Sequence, residues 1–314
     1  MYIIMDKQLR NYTNSSCINN VEKTYKTMLE NQTIDYVVEK INDTFMLINP
    51  YQYNIWNIIE ILDTITDHSD PDTSLPQIIH SYQTAESIRY NYIGFYNQLK
   101  YIPIYTLFSE TEWNSLPLNI KQLYNTSLDK LYPHINDWSW LIVVGFIHDL
   151  GKILLLPQFG GLPQWSVVGD SFPLGLKLSS NYLYYNKNYH DNNPSLNLDT
   201  YLHRCGFNNI IFSWGHDEYL ARTLEKNKTY LPKEAIYIIR YHSFYSWHTP
   251  NNGIRGYTDY ASTYDWYMLP LLKCFQKADL YSKNKNIPNI SHIKNTYRNL
   301  ILKYIPSECI NIFS

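Results

Sequence analysis

Apolar residues recur at three- and four-residue intervals early in the chain, at Val21, Tyr25, Met28 and Leu29 and then at Ile34, Val37 and Val38. That spacing predicts one amphipathic helix over 21–41. The same reasoning predicts helices over 52–66, 77–91, 138–149, 176–186, 198–205, 216–227, 232–243, 265–282 and 290–304. Between them, "DHSDPDTSLP" (67–76) and "PQFGGLPQWSVVGDSFPLG" (157–175) carry prolines and glycines that a regular helix excludes. Residues 1–20 are polar and loop-like. Residues 92–137, with Pro103, Pro117 and Pro133, keep no sustained period and read as a partly helical insertion. No alternating strand series and no internal repeat stands out. The expectation is an all-α fold, one domain over 1–314.

Composition narrows the class only modestly. Hydrophobic residues make up 45% and charged residues 17%, so the chain can bury a real core. A net charge of −2 gives no electrostatic reason to expect nucleic acid or an anionic membrane as partner. The 31 tyrosines come with many Asn, Ile and Lys, a codon-level bias before a functional one, and they read as core and surface filler. Cys17, Cys205, Cys274 and Cys309 show no C-x-x-C spacing, which suits a reducing compartment. "MYIIMDKQLR" is charged too early for a secretory signal, and the apolar run at 138–156 is broken by His148, Asp149 and Lys152. A soluble, cytoplasmic monomer is expected, with neither membrane nor nucleic acid as partner.

The apolar run ends in "FIHDLGK" (146–152), where two ionisable neighbours sit beside a segment built for burial. His80 lies mid-helix, His216 opens a helix after "FSWG", His242 closes "EAIYIIRYH", and Asp279 falls in "QKADLY". One such histidine is usually a hydrogen-bonded core residue. Six titratable groups in core-facing positions would each carry a desolvation cost, and convergence on a metal cluster removes most of it. Imidazoles and carboxylates without thiolate suit Fe, Mn, Co or Zn. Neighbouring helical residues project about 100° apart, so His148 and Asp149 can reach one cluster together, the carboxylate bridging two metals. Lys152, one turn on, is placed to stabilise an alkoxide, although a lysine there also caps helix carbonyls.

The series His80, His148-Asp149, His216, His242, Asp279 resembles the H…HD…H…H…D pattern of the HD-domain superfamily. Within that group the longer blocks resemble the myo-inositol oxygenase family: "RNYT" (10–13), "QTIDYV" (32–37), "SDPD" (69–72), "HSYQTAESIR" (80–89), "HDLGK" (148–152), "PQWSVVGDSFPLG" (163–175), "SWGHDEY" (213–219), "LPKEAIYIIRYHSFYSWHT" (231–249) and "KADLYSK" (277–283). The resemblance implies a helical bundle around a non-haem, mixed-valent Fe(II)/Fe(III) pair that opens myo-inositol with O2 to give D-glucuronate. It implies one iron on His80, His148 and Asp279, the other on His216 and His242, and Asp149 between them. Asp149 and Lys152 would be catalytic. Arg10, Asp67, Ser69, Lys152, Gly169, Asp170, Ser243 and Lys283 would line the polyol site.

Taken singly, Asp67 and Ser69 read as turn residues, Gly169-Asp170 as a tight turn, and Arg10 as a solvated tail residue. Asp217 reads as a first-turn or supporting carboxylate, not a ligand, and Glu218 likewise. His248 orients local structure, while His68, His134, His190, His203 and His292 lie in polar stretches without evident partners. The chain departs from the family in the long interval between His80 and His148, which 92–137 occupies; a surface excursion is the economical expectation. Two other classes compete. A dimetal phosphohydrolase would need a basic phosphate cluster, which is missing, and a non-catalytic scaffold would have lost a ligand, whereas all six are present.

Overall fold

The computed structural model describes residues 18–46, 50–69, 76–91, 98–182, 192–251, 253–282 and 288–313. Among the described residues the architecture is an all-α bundle joined by one small two-stranded sheet. Its centre is the helix α8, Trp140–Ile147, in which every residue is buried. With no polar face it must be covered all round. Around it lie α4 (Gln77–Asn91), α11 (Lys233–Tyr241), α13 (Thr263–Ser282) and α14 (Ile290–Tyr304). Gly145 sets the closest approach: a Cβ there would meet the Ala85 backbone of α4 at 3.1 Å. That contact brings His80 of α4 alongside His148 at the end of α8.

The predicted 21–41 helix is two helices, α1 (Ile18–Asn31) and α2 (Ile34–Phe45). Gln32 leaves the helical path to bond both backbone groups of Trp214, accepting from its N–H at 2.9 Å and donating to its carbonyl at 2.7 Å. Thr33 then caps α2 by accepting from the Tyr36 N–H. Another correction falls at 52–66. Residues Tyr51–Asn54 form a strand, β1, before α3 (Ile55–Leu62), and β1 pairs antiparallel with β2 (Cys309–Ile312), Tyr51 opposite Ile312 and Asn54 opposite Cys309. A four-residue edge pair gives too short an alternation to be seen in sequence.

Residues 198–205 are not helical, nor are 176–182, the described part of the predicted 176–186 helix. Their backbone groups bond sideways instead: Leu176 bridges Asp199, and the Gly175 N–H reaches the Ser195 carbonyl. The predicted helix at 138–149 ends at Ile147, and a 3-10 turn, Leu150–Leu155, continues the chain. The remaining expected helices appear as α10 (His216–Lys226), α11, α13 and α14, their ends within two residues of expectation, and two short helices that were not expected, α9 (Gln164–Val167) and α12 (Tyr245–His248), complete the series among the described residues.

Residues 98–137 carry the short helices α5 (Glu110–Ser115), α6 (Leu118–Tyr124) and α7 (Leu128–Leu131) with two 3-10 turns. The segment has buried residues of its own, including Ile104, Leu107, Leu128 and Tyr132. It lies on α13, tied by Lys273 to Glu112 at 2.6 Å. No helix among the described residues is long and apolar enough to cross a membrane.

Candidate metal centre

Five elements deliver the six predicted ligands to one place. His80 comes from the first turn of α4, His148 and Asp149 from the end of α8, His216 from the first residue of α10, His242 from the end of α11, and Asp279 from the last turns of α13. All six are buried. Asp149 stands in the sparsely populated bridge region, φ −92° and ψ 0°, where α8 tightens into the 3-10 turn. That change of path turns the His148 and Asp149 side chains toward a common centre.

Asp149 divides its oxygens between two groups. Oδ2 faces His80 Nε2 at 3.8 Å and His148 Nε2 at 3.6 Å; Oδ1 faces His216 Nε2 at 3.4 Å and His242 Nε2 at 3.9 Å. Asp279 Oδ1 joins the first group, 2.9 Å from His80 Nε2 and 3.4 Å from His148 Nε2. Ligands held about 2.1 Å from one ion stand about 3.0 Å apart when cis and about 4.2 Å when trans. The observed separations lie in that range.

The orientation of the rings is the stronger sign of a cation. His216 Nδ1 donates to the Val167 carbonyl at 2.8 Å, and His242 Nδ1 donates to the Ile239 carbonyl at 2.7 Å. In the neutral rings both Nε2 atoms are therefore acceptors, yet they face each other at 3.1 Å. Two lone pairs at that distance repel unless a positive centre lies by them. His148 is set in the same way, its Nδ1 donating to the Gly145 carbonyl at 3.0 Å. The donor set fits a pair of divalent or trivalent ions of intermediate hardness.

The charge states agree. Burial pushes His216 below its ordinary range, and burial with the neighbouring imidazoles takes His242 down to about 4, so both are neutral donors. Burial opposes charge on Asp149 and Asp279, but Lys152 and the imidazoles hold Asp149 well below the carboxylate range, as His148 and His80 do Asp279. Burial also opposes charge on His148, where the two carboxylates win and raise its pKa. The same field favours a cation.

A cleft partly open to solvent has these residues as its floor. Asp67, Ser69, Lys152, Gly169, Asp170 and Ser243, expected at a polyol site, all line this cleft. Arg10 and Lys283 lie outside the described residues. Lys152 Nζ donates to Asp67 Oδ2 at 2.8 Å, Asp149 Oδ2 at 2.9 Å and Gln77 Oε1 at 3.3 Å. It stands in the 3-10 turn, not on a continued helix. Burial opposes charge on Asp67, but Lys152 and Ser69 hold its pKa down to about 2. Ser69 supports it through Oγ at 2.6 Å and its backbone N–H at 2.8 Å.

Three neighbours escaped the sequence reading. Tyr25 and Tyr245 line the cleft, and Tyr25 donates to Asp170 Oδ1 at 2.7 Å from 145 residues away. Gln77 is the third, and its place three residues before the "HSYQTAE" block was the only signal that could have found it. Asp217 is apart from the ligand group; it accepts from Ser243 Oγ at 2.5 Å and from the Glu218 N–H at 2.8 Å. His248 donates to the His242 carbonyl at 2.8 Å. His134, expected to lack a partner, pairs with Glu234 at 2.9 Å, because the fold brings α11 beside the loop after α7.

Fold and site together define a helical protein with a buried histidine–carboxylate centre suited to two metals. The myo-inositol oxygenase family model matches residues 18–102 and 104–312. The chain is similar to inositol oxygenase of Dictyostelium discoideum, 36% identical over 307 residues, covering 96% of this chain and 89% of that one. It is 35% identical to the inositol oxygenase of Rattus norvegicus over 303 residues, 95% of this chain and 88% of the relative. With inositol oxygenase 2 of Arabidopsis thaliana the identity is 36% over 293 residues, 92% and 77% of the two chains. The chain belongs to the myo-inositol oxygenase family.

Proposed function

We propose that this protein is an inositol oxygenase that opens the ring of myo-inositol with O2, giving D-glucuronate and water, on an HD-type helical bundle. The observation that carries the reading, beside family membership, is Asp149 set between two groups of imidazoles with one oxygen toward each. His80, His148 and Asp279 would hold one iron, His216 and His242 the other, and Asp149 both. A mixed-valent iron pair would supply open positions for the polyol and O2, while the four electrons that reduce O2 come from the polyol itself.

The chain's own residues bind and orient the polyol. Each hydroxyl that enters loses water and needs a replacement partner, so a cleft lined by Asp67, Ser69, Asp170 and Ser243 selects for a ring with hydroxyls all round. Ser243 spends its proton on Asp217, which leaves its oxygen lone pairs for a substrate hydroxyl. Lys152 keeps a positive charge beside Asp149 and next to the cleft, where an alkoxide gains from it. The walls of Tyr25 and Tyr245 limit water around the reacting carbon.

The test is to load the protein anaerobically with Fe(II), oxidise it partly, add myo-inositol and measure O2 uptake and product. One glucuronate per O2 is expected. Phosphomonoester hydrolysis without any glucuronate would replace the oxygenase reading with a hydrolase.

A further inference from the structure

The helix α13 that delivers Asp279 contains Pro270 in its interior. Proline has no N–H, so the Trp266 carbonyl, four residues earlier, lacks its helical donor at that point. A proline in this position is also where a helix bends. Asp279 stands nine residues further along, about 13.5 Å at the helical rise. Metal–ligand distances tolerate about 0.2 Å, so a swing of only about one degree at Pro270 would spoil the position of Asp279.

The segment 98–137 meets this weak point. Tyr124 donates its hydroxyl to the Trp266 carbonyl, the group that Pro270 leaves without its donor. Tyr132 donates to the next carbonyl, Tyr267, and the Tyr267 hydroxyl returns a bond to the Leu131 carbonyl at 3.1 Å. Both donor rings are fully buried, Tyr124 stacked on Phe108 and Tyr132 edge-on to Tyr267. Beyond the proline, Lys273 binds Glu112 and Lys277 reaches the Thr106 carbonyl at 3.3 Å. Contacts thus lie on both sides of the interruption.

We propose that residues 98–137 form a splint across the proline of α13, with Tyr124 and Tyr132 as positioning residues that fix Asp279 for metal binding. The inference rests on the reading of Asp279 as a ligand. Neither tyrosine lines the cleft; they act through the helix.

The experiment uses the full chain, with Co(II) as a spectroscopic probe for each binding step and hydrogen exchange over 271–282. Tyr124→Phe/Tyr132→Phe should weaken one of the two Co(II) steps at least tenfold, leave the other within twofold, and speed exchange over 271–282. Tyr219→Phe, which loses a comparable bond to the Phe313 carbonyl, should alter neither step. Pro270→Ala restores the helical N–H, and in the double-Phe background it should recover most of the lost affinity. Unchanged Co(II) binding in the double variant overturns the splint, and so does an equal loss with Pro270→Ala. If the double variant does not fold, each single tyrosine variant allows the same comparison with Pro270→Ala. Wild-type protein that takes up no metal pair would instead overturn the ligand reading, which separates the two failures.

Discussion

Gly151→Ala is a one-carbon change that tests how closely the two halves of the centre are fitted. Gly151 lies in the 3-10 turn between Asp149 and Lys152, against the first residue of α10. A Cβ at this position would stand 2.0 Å from the His216 carbonyl oxygen and 2.9 Å from the His216 Cα, where ordinary contact begins at 3.4 Å. The turn and α10 would therefore have to separate by about 1.4 Å, the difference between 3.4 and 2.0 Å. Backbone lies on both sides, so no flexible side chain can absorb it. A shift of that size is several times the roughly 0.2 Å a metal–ligand bond tolerates. Overpacking of this kind costs about 1–3 kcal/mol, or about 2–6 °C in the melting temperature of a chain of this size. Thermal melting of the metal-free protein and metal content after reconstitution would check both effects. We expect a lower melting temperature and loss of the metal proposed to lie at His216 and His242. A Gly151→Ala protein with wild-type melting and two tightly held metals would refute the packing argument.

Three other outcomes follow from buried charges. Asp149→Asn keeps the shape but removes the charge that both groups of imidazoles share, so metal content after dialysis should fall from two per chain to one or none. Lys152→Met leaves Asp67 and Asp149 buried without their cation; breaking such a pair costs about 3–5 kcal/mol, measurable by urea unfolding of the metal-free protein, and turnover should vanish with it. Burial pushes Lys273 down to about 8 although Glu112 opposes the shift. A lysine depressed in the folded state is neutral there while the unfolded chain still binds its proton. The stability difference between wild type and Lys273→Met should therefore grow in favour of wild type from about pH 8 toward about pH 10.4, by at most about 1.4 kcal/mol per pH unit. The comparison cancels the tyrosines, which titrate in the same range.

The candidate ligand set was legible because each member sits in or beside a core-facing segment where a charge needs a reason, and the order of the blocks resembled one family. Helix periodicity placed α4, α8, α10, α11, α13 and α14. What stayed hidden depends on contacts between distant residues. Gln32 breaks a regular amphipathic pattern only because Trp214, 182 residues away, offers both of its backbone groups. The strand β1 exists because β2, near the other end of the chain, lies beside it. Tyr25 was one tyrosine among 31 until the fold set it against Asp170. In 198–205 the apolar spacing mimics a helix while the backbone bonds laterally to its neighbours. Residues 98–137 show no period because their short helices are shaped by α13.

The claim at the centre is that six residues from α4, α8, α10, α11 and α13 hold two irons across one aspartate. Anomalous diffraction at the iron edge, on crystals of the anaerobically reconstituted protein, tests it directly. The account predicts two peaks, one among His80, His148 and Asp279 and one at His216 and His242, with Asp149 between them. A single peak, or a second one away from Asp149, would contradict it.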